Sequence, residues 1–382
     1  MKIFLTGVET NNKGAELMLY SILQEIERKL PNAEVYIPAS RVLQGSSYVN
    51  TKLKLNLIQL PLKYRIIRKL RIEGILRRLG IERKFNFVPV VKGADYLIDG
   101  SGLHFSDKFN LSDGDVNYWH KILTTQKKYG TKIIFLPQAF GPIQKDNTQK
   151  EVRDISDNSD LVYAREEVSY GYLQDCGFFD MSKVRICTDF TSLVEGHVPE
   201  KYANLKGGIC IIPNKQMVRM GVLSEDDYIS FLVRVIDEAK KTERKVYLLN
   251  HEGIEDEQLA ISCQKKIGFN IEVVSGINAL ETKGIISTAY LVITSRFHGV
   301  ASALNSCVPC LATSWSHKYA CLFADYGQND CVLSLKDNEK DLAKIKQFLS
   351  PEENRRIREK LATHLPKIQE SAKTMWSEIW NN

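Results

Sequence analysis

Short apolar runs rich in Val, Ile and Leu alternate with segments of helical periodicity along almost the whole chain. This alternation is typical of βαβ units, in which the strands form parallel sheets. In the first half, the apolar runs predict strands at residues 2–6, 34–38, 95–99, 132–137, 161–164 and 184–188. In the second half, they predict strands at residues 208–213, 245–250, 271–275, 290–294, 309–313 and 331–335.

Helical signals fill the intervals between these strands. Residues 14–30 carry apolar positions at helical spacing, and Pro31 follows directly. Near the end of the chain, Ser350 is a suitable N-cap for a helix that opens with Pro351 and two acidic residues. We therefore predict a first helix over 14–30 and a terminal helix that begins at Pro351.

A stretch with Pro and several Gly residues, 194–208, separates the two sets of strands and predicts a linker. The predicted fold is α/β, with one Rossmann-like domain over 1–196 and a second over 207–350 that face a cleft. Residues 351–382 are expected to form a helix that packs back. Open parallel sheets bind ligands beyond the carboxyl ends of their strands, so function should be sought in the loops found there.

The composition is that of a globular protein of two domains, with 382 residues of which 43% are hydrophobic and 26% charged. The first residues lack a signal-peptide pattern, and no run of ~18 apolar residues is present. The eight cysteines are scattered, and we expect reduced thiols rather than a disulfide framework. These features predict a cytoplasmic protein.

The net charge of +6 is concentrated in residues 62–84, the basic segment, which holds nine Lys or Arg against Glu73 and Glu82. The remainder of the chain is close to neutral, which argues against a nucleic-acid partner. Apolar residues lie at helical spacing between the basic ones, as in helices that lie on anionic membranes. This pattern predicts peripheral binding to the inner face of the plasma membrane; a solvated helix that covers the first sheet is the alternative.

Polar residues gather at the predicted strand ends. The loop 6–17 matches neither glycine fingerprint for nucleotides, but it places Gly14 at a helix start, where free N–H groups can hold an anion or a sugar hydroxyl. Arg165 lies where a strand becomes a helix, and a guanidinium there suits a phosphate or a carboxylate. The alternative for Arg165 is an ion pair with Glu166 or Glu167.

The stretch TSRFHG, residues 294–299, closes the most apolar strand of the second half and opens a helix of small residues. Arg296 offers a clamp for an anion, and His298 offers a group that can transfer a proton near neutral pH. A helix cap and a packed imidazole are the structural alternative for the same two residues.

Four residues near this stretch could ligate zinc: Cys307, Cys310, His317 and Cys321. Cys310 would begin a buried strand, and Cys321 lies on an apolar helical face, whereas loops that hold structural zinc are usually polar. We therefore interpret the cysteines as small buried hydrophobic residues and expect no metal.

Taken in order, these motifs resemble those of the polysaccharide pyruvyltransferases, from residue 3 to about residue 330. The most specific match is SRFHGVASALNSCVPCLATSW followed by KYACLFADYG, which is similar to the family's Ser-Arg-x-His signature, small-residue helix and late glycine. GVETNNKGAELM, DGSGLHFSD, PQAFGP and AREEVSY are similar to its other motifs. The chain departs from the family pattern at Glu16, at Gln138-Ala139 and at Cys307, where Asp, Gly-Gln and Gly are common.

The resemblance implies transfer of the enolpyruvyl-derived group of phosphoenolpyruvate to a sugar diol of a surface polysaccharide precursor, which yields a pyruvate ketal and phosphate. It also implies a fold similar to the two-Rossmann glycosyltransferase-B architecture. The partners would be phosphoenolpyruvate as co-substrate, with no other cofactor, and a saccharide acceptor, free or lipid-linked. The motifs do not identify the acceptor sugar, its linkage or the stereochemistry of the ketal.

The residues that match the family motifs receive roles on this basis. The expected catalytic residues are His298, as the acid, with Arg296 and Arg165. The expected donor-binding residues are Arg165, Arg296, Gln138, Ser295 and Ser314. The expected acceptor-binding residues are Asn11, Asn12, Glu16, Ser101 and His104.

Two other functions fit the same architecture. A nucleotide-sugar glycosyltransferase would need an acidic or aromatic partner for the ribose and base in the second domain, and Glu252 in NHEG is a candidate. A catalytically silent carbohydrate-binding member is the other, and the presence of Arg165, Arg296 and His298 argues against it.

Overall fold

A computed structural model describes residues 1–10, 12–39, 52–59, 61, 88–313 and 318–381 of the protein. Two of the predicted site residues, Asn11 and Ser314, lie outside these described residues, as do His317 and the whole basic segment. None of the helices within the described ranges combines the length and the apolar character that a membrane span requires.

The chain divides into two compact units. The first unit comprises Met1–Thr10, Ile22–Cys187 and Met375–Asn382, and the second comprises Asn11–Ser21 and Thr188–Thr374. The division therefore falls ahead of the predicted linker. It also assigns the start of the first helix and most of the terminal helix to the second unit.

The first unit contains a seven-stranded parallel sheet in the order β3-β2-β1-β4-β5-β6-β7. Its strands are β1 (Lys2–Thr6), β2 (Glu34–Pro38), β3 (Lys54–Ile58), β4 (Tyr96–Asp99), β5 (Lys132–Gln138), β6 (Leu161–Ala164) and β7 (Val184–Ile186). Six of them match predicted runs to within two residues. β3 is missing from the prediction, because its KLNLI sequence alternates polar and apolar residues and none of the five is buried. An edge strand needs no continuous apolar run.

The second unit contains a six-stranded parallel sheet in the order β10-β9-β8-β11-β12-β13. Its strands are β8 (Ile209–Ile212), β9 (Val246–Leu249), β10 (Glu272–Val274), β11 (Leu291–Thr294), β12 (Cys310–Thr313) and β13 (Val332–Leu333). All six match predicted runs. Every residue of β8, β9, β11 and β12 is buried, which explains why these strands read as continuous apolar runs rather than as alternating ones.

Helices fill the intervals between the strands. They are α1 (Lys13–Lys29), α2 (Asp113–Lys128), α3 (Asp146–Asn158), α4 (Glu167–Asp175), α5 (Gln216–Arg219), α6 (Glu225–Lys240), α7 (Gly253–Ile267), α8 (Ala279–Ser287), α9 (Phe297–Leu304), α10 (Lys318–Asp325), α11 (Asn338–Leu349) and α12 (Pro351–Asn381). The first and last agree with the predicted helices to within one residue. A 3₁₀-helix, Glu200–Leu205, occupies part of the predicted linker.

In each sheet the strand order reverses beside the first strand of the unit. β1 lies between β2 and β4, and β8 lies between β9 and β11. At such a reversal the connections leave towards opposite faces of the sheet and open a crevice beyond the carboxyl ends of the strands. The polar loops singled out from the sequence follow β1 and β4 in the first unit and β9 and β11 in the second, so they lie at these two edges.

Candidate active site

The carboxyl edge of the second sheet is organised around Ser295, which follows β11. Its carbonyl oxygen accepts hydrogen bonds from Asn214 Nδ2 at 2.7 Å and from the Tyr319 hydroxyl at 2.7 Å. Its own hydroxyl lies 3.0 Å from the Tyr228 hydroxyl, and the residue is fully buried. These bonds fix the turn that carries Arg296 and His298. The predicted donor-binding role of Ser295 stays a prediction.

Arg296 is held by two acidic side chains from the segment that follows β9. Its Nε and Nη2 donate to Asp256 Oδ2 at 2.9 and 2.5 Å, and its Nη1 pairs with Glu252. Asp256 is buried and accepts a further bond from the Lys215 amide at 2.9 Å. The Glu252 side chain, in contrast, is 30% exposed. An anion at Arg296 would therefore compete with Glu252 and leave the pair with Asp256 in place.

The electrostatics of this pair follow from burial. Removal from water raises the pKa of the Asp256 carboxyl and lowers that of the Arg296 guanidinium, because each loses hydration of its charged form. The hydrogen bond from the Lys215 amide opposes the shift in the pKa of Asp256, and Tyr319 and Tyr228 oppose the shift in that of Arg296. The result is a guanidinium with a fixed orientation.

His298 lies in the first turn of α9 and packs against Gly14 in the first turn of α1. A Cβ atom built on Gly14 would lie 2.3 Å from His298 Nδ1, so only glycine leaves room for the ring. The side chain of Asn12 holds the start of α1, because its Oδ1 accepts bonds from the Gly14 and Ala15 amides at 2.8 and 3.3 Å. Asn12 is thus engaged as a helix cap.

Glu16, another predicted acceptor-binding residue, is buried in the second unit. Its Oε2 accepts a bond from Lys13 Nζ at 2.7 Å. Burial raises the pKa of the Glu16 carboxyl, and the bond from Lys13 opposes this shift. The carboxylate is thus already partnered within its own helix.

Two basic residues near His298 carry no role in the sequence analysis. His251 follows β9 and is 4% exposed, and its Nδ1 has no hydrogen-bond partner among the described residues. Burial, and then the charges of Arg296, His298 and Lys13, hold the pKa of His251 well below its usual range. Lys318, which is buried at the start of α10, has its Nζ 5.0 Å from the centre of the Phe297 ring. The polar strand end NHEG was the sequence pattern that could have indicated His251, whereas no sequence pattern indicated Lys318.

At the carboxyl edge of the first sheet, a buried carboxylate brings two predicted residues together. Asp99 accepts bonds from Thr6 Oγ1 at 2.8 Å, from the Ser101 amide and hydroxyl, both at 3.1 Å, and from Gln138 Nε2 at 2.9 Å. Gly7 belongs to the same cluster, because a Cβ there would lie 2.2 Å from Ser101 Oγ. Burial raises the pKa of Asp99, and the bonds from Ser101 and Thr6 oppose this shift.

Arg165 and His104 lie at the same edge of the first sheet. Arg165 is buried where β6 meets α4, and its amide donates to the Gln138 carbonyl at 2.9 Å. The neighbouring Glu166 carboxylate accepts a bond from the Ser169 hydroxyl. His104 lies in the loop after β4, with its Nε2 3.4 Å from a carboxylate oxygen of Glu151 on α3.

The cysteines near TSRFHG are packed into the second unit. Cys310 is buried in β12, whereas Cys307 and Cys321 are half-buried. Within the described residues, which omit His317, no group of three or more His, Cys, Asp or Glu side chains is arranged to hold a metal ion.

The buried pair between Arg296 and Asp256 predicts a large effect of Asp256→Ala. Removal of the carboxylate leaves a guanidinium whose side chain is only 11% exposed without its main partner, which costs about 3–5 kcal/mol of unfolding free energy. Glu255→Ala, on the same helix, is the matched control, because it breaks a pair with Arg219 whose side chains are about half exposed. We expect that control to cost less than about 1 kcal/mol. Equal losses in urea unfolding would contradict this account of the site.

The whole chain is similar to several solved structures. They include the UDP-GlcNAc 2-epimerase of Neisseria meningitidis bound to UDP-GlcNAc, with 12% identity, a TM-score of 0.60 and 100% of each chain covered. Anabaena HepE in complex with UDP and glucose has 9% identity and a TM-score of 0.58, with 99% of this chain and 100% of that chain covered. The glycosyltransferase WaaG, involved in lipopolysaccharide biosynthesis, has 12% identity and a TM-score of 0.51, with 99% of each chain covered.

Identities this low indicate a shared fold only. They confirm the predicted fold class, an α/β protein of two Rossmann-like units of the glycosyltransferase-B type. No match is found among curated proteins. The family model of the polysaccharide pyruvyl transferases matches residues 12–317, a range that includes TSRFHG and the motifs around Ser101, Gln138 and Arg165. The resemblance inferred from the motifs is therefore confirmed, and the chain belongs to the polysaccharide pyruvyl transferase family.

Proposed function

We propose that this protein transfers the enolpyruvyl-derived group of phosphoenolpyruvate onto a sugar diol of a surface polysaccharide precursor, forming a pyruvate ketal and releasing phosphate. The observation that carries the proposal is the family match over residues 12–317. Within that range, Arg296 and His298 stand two residues apart at the carboxyl edge of a parallel sheet. Parallel α/β sheets bind their ligands at this edge.

The donor carries a phosphate and a carboxylate, which together bear roughly three negative charges at neutral pH. Guanidinium groups suit both anions, since their paired N–H donors match two oxygens at once. We assign this role to Arg165 and Arg296. At Arg296 the donor would take the place of the partly exposed Glu252 carboxylate, while Asp256 keeps the guanidinium in position.

The reaction requires a proton on the methylene carbon of the donor, and we assign that proton to His298. Protonation makes the adjacent carbon electron-poor, and a sugar hydroxyl attacks it. The bond from that carbon to the phosphate oxygen then breaks, and a second hydroxyl closes the ketal. Over the whole reaction, one hydroxyl proton restores the proton that His298 gave to the methylene carbon, and the other hydroxyl proton leaves with phosphate.

The runner-up is a nucleotide-sugar glycosyltransferase, because two of the structural relatives named above were solved with UDP or UDP-GlcNAc bound. In this chain the acid available for a ribose is Glu252. Its carboxylate is paired with Arg296, which weakens this second reading. A catalytically silent carbohydrate-binding member is the third possibility, and the same assay separates all three.

Phosphate release tests the proposal. We expect the protein to release inorganic phosphate from phosphoenolpyruvate when one member of a panel of lipid-linked galactosides, glucosides and mannosides is present. His298→Ala should lower this rate by about 10²–10⁴-fold, the usual contribution of an acid, while calorimetry still detects phosphoenolpyruvate binding. Near-normal turnover in the variant would rule out the acid role. Sugar transfer from a nucleotide sugar without phosphate release would favour the runner-up.

The contact between Gly14 and His298 gives a second prediction. Gly14→Ala forces the imidazole aside, and a displacement of about 1 Å lowers turnover on the order of 10²-fold. Gly171→Ala in α4 is the matched control, since a Cβ there meets nothing within 4 Å. This control should keep full turnover and gain a little stability, as alanine favours helix over glycine. Full turnover in Gly14→Ala would contradict the placement of His298.

We further propose that the acceptor is lipid-linked and that the basic segment binds the anionic membrane surface beside it. The support is its sequence, in which nine Lys or Arg alternate with apolar residues at helical spacing. Vesicles that contain anionic lipid should sediment the wild-type protein, and replacement of five of these basic residues by Gln should release it. Co-sedimentation that does not change on neutralisation would exclude this role.

A further inference from the structure

The carboxyl edge of the first sheet contains a histidine and a glutamate whose pairing the sequence motifs do not suggest. His104 lies in the loop after β4, and Glu151 lies in the middle of α3. His104 Nε2 is 3.4 Å from Glu151 Oε1. The His104 side chain is 32% exposed, whereas that of Glu151 is fully buried.

The carboxylate of Glu151 is buried, and His104 is the residue that partners it. Both of its carboxylate oxygens lack a hydrogen-bond partner among the described residues, so the imidazole is the one ionic partner that the described chain supplies. A buried carboxylate with a single partner is an expensive arrangement that packing alone does not favour. The pairing takes up the Nε2 side of the ring. It leaves Nδ1 as the nitrogen that can meet a molecule from outside.

Aromatic side chains fix the plane of the His104 ring. Phe109 stacks on it at 6.3 Å with an angle of 19° between the planes, and Phe105 meets it edge-on at 5.0 Å. Trp119 lies 6.1 Å away on a third side. Phe109 is 44% exposed, and an exposed ring beside a hydrogen-bonding group suits the apolar face of a sugar. The ring is therefore both oriented and accessible.

The ionisable groups around His104 are acidic side chains. Burial by itself lowers the pKa of His104, but the neighbouring carboxylate of Glu151, followed by the charges of Asp99 and Asp115, outweighs this effect and raises that pKa. Burial likewise raises the pKa of Glu151, and His104 opposes this shift. These three acids, on α3, β4 and α2, are the charged groups among the described residues that act most strongly on the ring.

We propose that His104 is the general base that accepts the proton of the attacking sugar hydroxyl, and that Glu151 is the positioning residue that orients it. As the oxygen of the hydroxyl forms its bond to the electron-poor carbon of the donor, its proton passes to Nδ1 of His104. The proton later leaves the ring with the departing phosphate. This role rests on the proposed function, because it names the group that activates the acceptor in the same reaction.

The pH dependence of the transfer rate separates this role from simple packing. A base must be unprotonated, so the rate should rise with pH through the pKa of His104. We call the rising part of the curve of rate against pH the limb. Glu151→Gln removes the negative charge that raises the pKa of His104, so the limb should move to lower pH by about one unit, and the maximal rate above it should be lower. His104→Gln should lose about 10²–10⁴-fold in rate, and the limb should disappear. The acceptor in these assays is the panel saccharide that gives the fastest phosphate release.

The chain supplies a matched control on the same two helices. His120 on α2 pairs with Asp154 on α3 at 2.9 Å, but its side chain is 55% exposed. Asp154→Asn should leave both the rate and the position of the limb unchanged. Circular dichroism of each variant establishes that it is folded. If Glu151→Gln does not fold, His104→Gln decides the question by the presence or absence of the limb.

Nuclear magnetic resonance of the His104 ring gives a second readout that needs no turnover. The ring should titrate at lower pH in Glu151→Gln than in the wild type. A rate that falls equally at every pH, or a limb that survives in His104→Gln, would overturn the base role. A wild-type protein that releases no phosphate from phosphoenolpyruvate would instead refute the proposed function, while the ring titration still tests the pairing.

Discussion

Both sheets reverse their strand order beside the first strand of the unit, and this constraint decides where the molecule can place polar chemistry. Strands covered on both faces leave room only for apolar side chains, so ionisable groups collect beyond the carboxyl ends. In the second unit this edge joins Arg296 and His298 to the acids that follow β9. In the first unit it joins Asp99 to Ser101 and Gln138. The sheet fixes the backbone from which these side chains extend.

Charges close to a buried sheet lose much of their hydration, and two of the groups proposed for the reaction have an acidic partner that also orients them. Asp256 fixes Arg296, and Glu151 faces the Nε2 side of His104. Glycine has a comparable role where space is the limit, because the bare Cα of Gly14 is what lets the ring of His298 lie against α1. Arg296, His298 and His104 are therefore each held in place by residues of their own unit.

The division between what the sequence predicts and what it does not follows the same physics. Twelve strands were predictable from their apolar runs, and in β8, β9, β11 and β12 these runs reflect burial of every residue. β3 was not predictable, because its residues alternate between polar and apolar and none of them is buried. The residues that match the family motifs could be named from TSRFHG and the other strand-end loops. Their supports could not, because Asp256 lies 40 residues from Arg296 and no local pattern links the two. Glu151 could not be named for the same reason, since only the folded chain brings it beside His104. His251 stands in the strand-end loop NHEG, but its neighbours Arg296 and His298 are distant in sequence.

The central claim is that the chain moves a three-carbon unit from phosphoenolpyruvate to a sugar. The most direct measurement is nuclear magnetic resonance of the acceptor after incubation with phosphoenolpyruvate that is carbon-labelled at the methylene position. The account predicts a labelled methyl group on a ketal carbon of the saccharide, formed in step with inorganic phosphate and formed far more slowly with His298→Ala. Label that stays in free pyruvate or in unreacted phosphoenolpyruvate, while the same acceptor gains a sugar from a UDP-sugar, would contradict it.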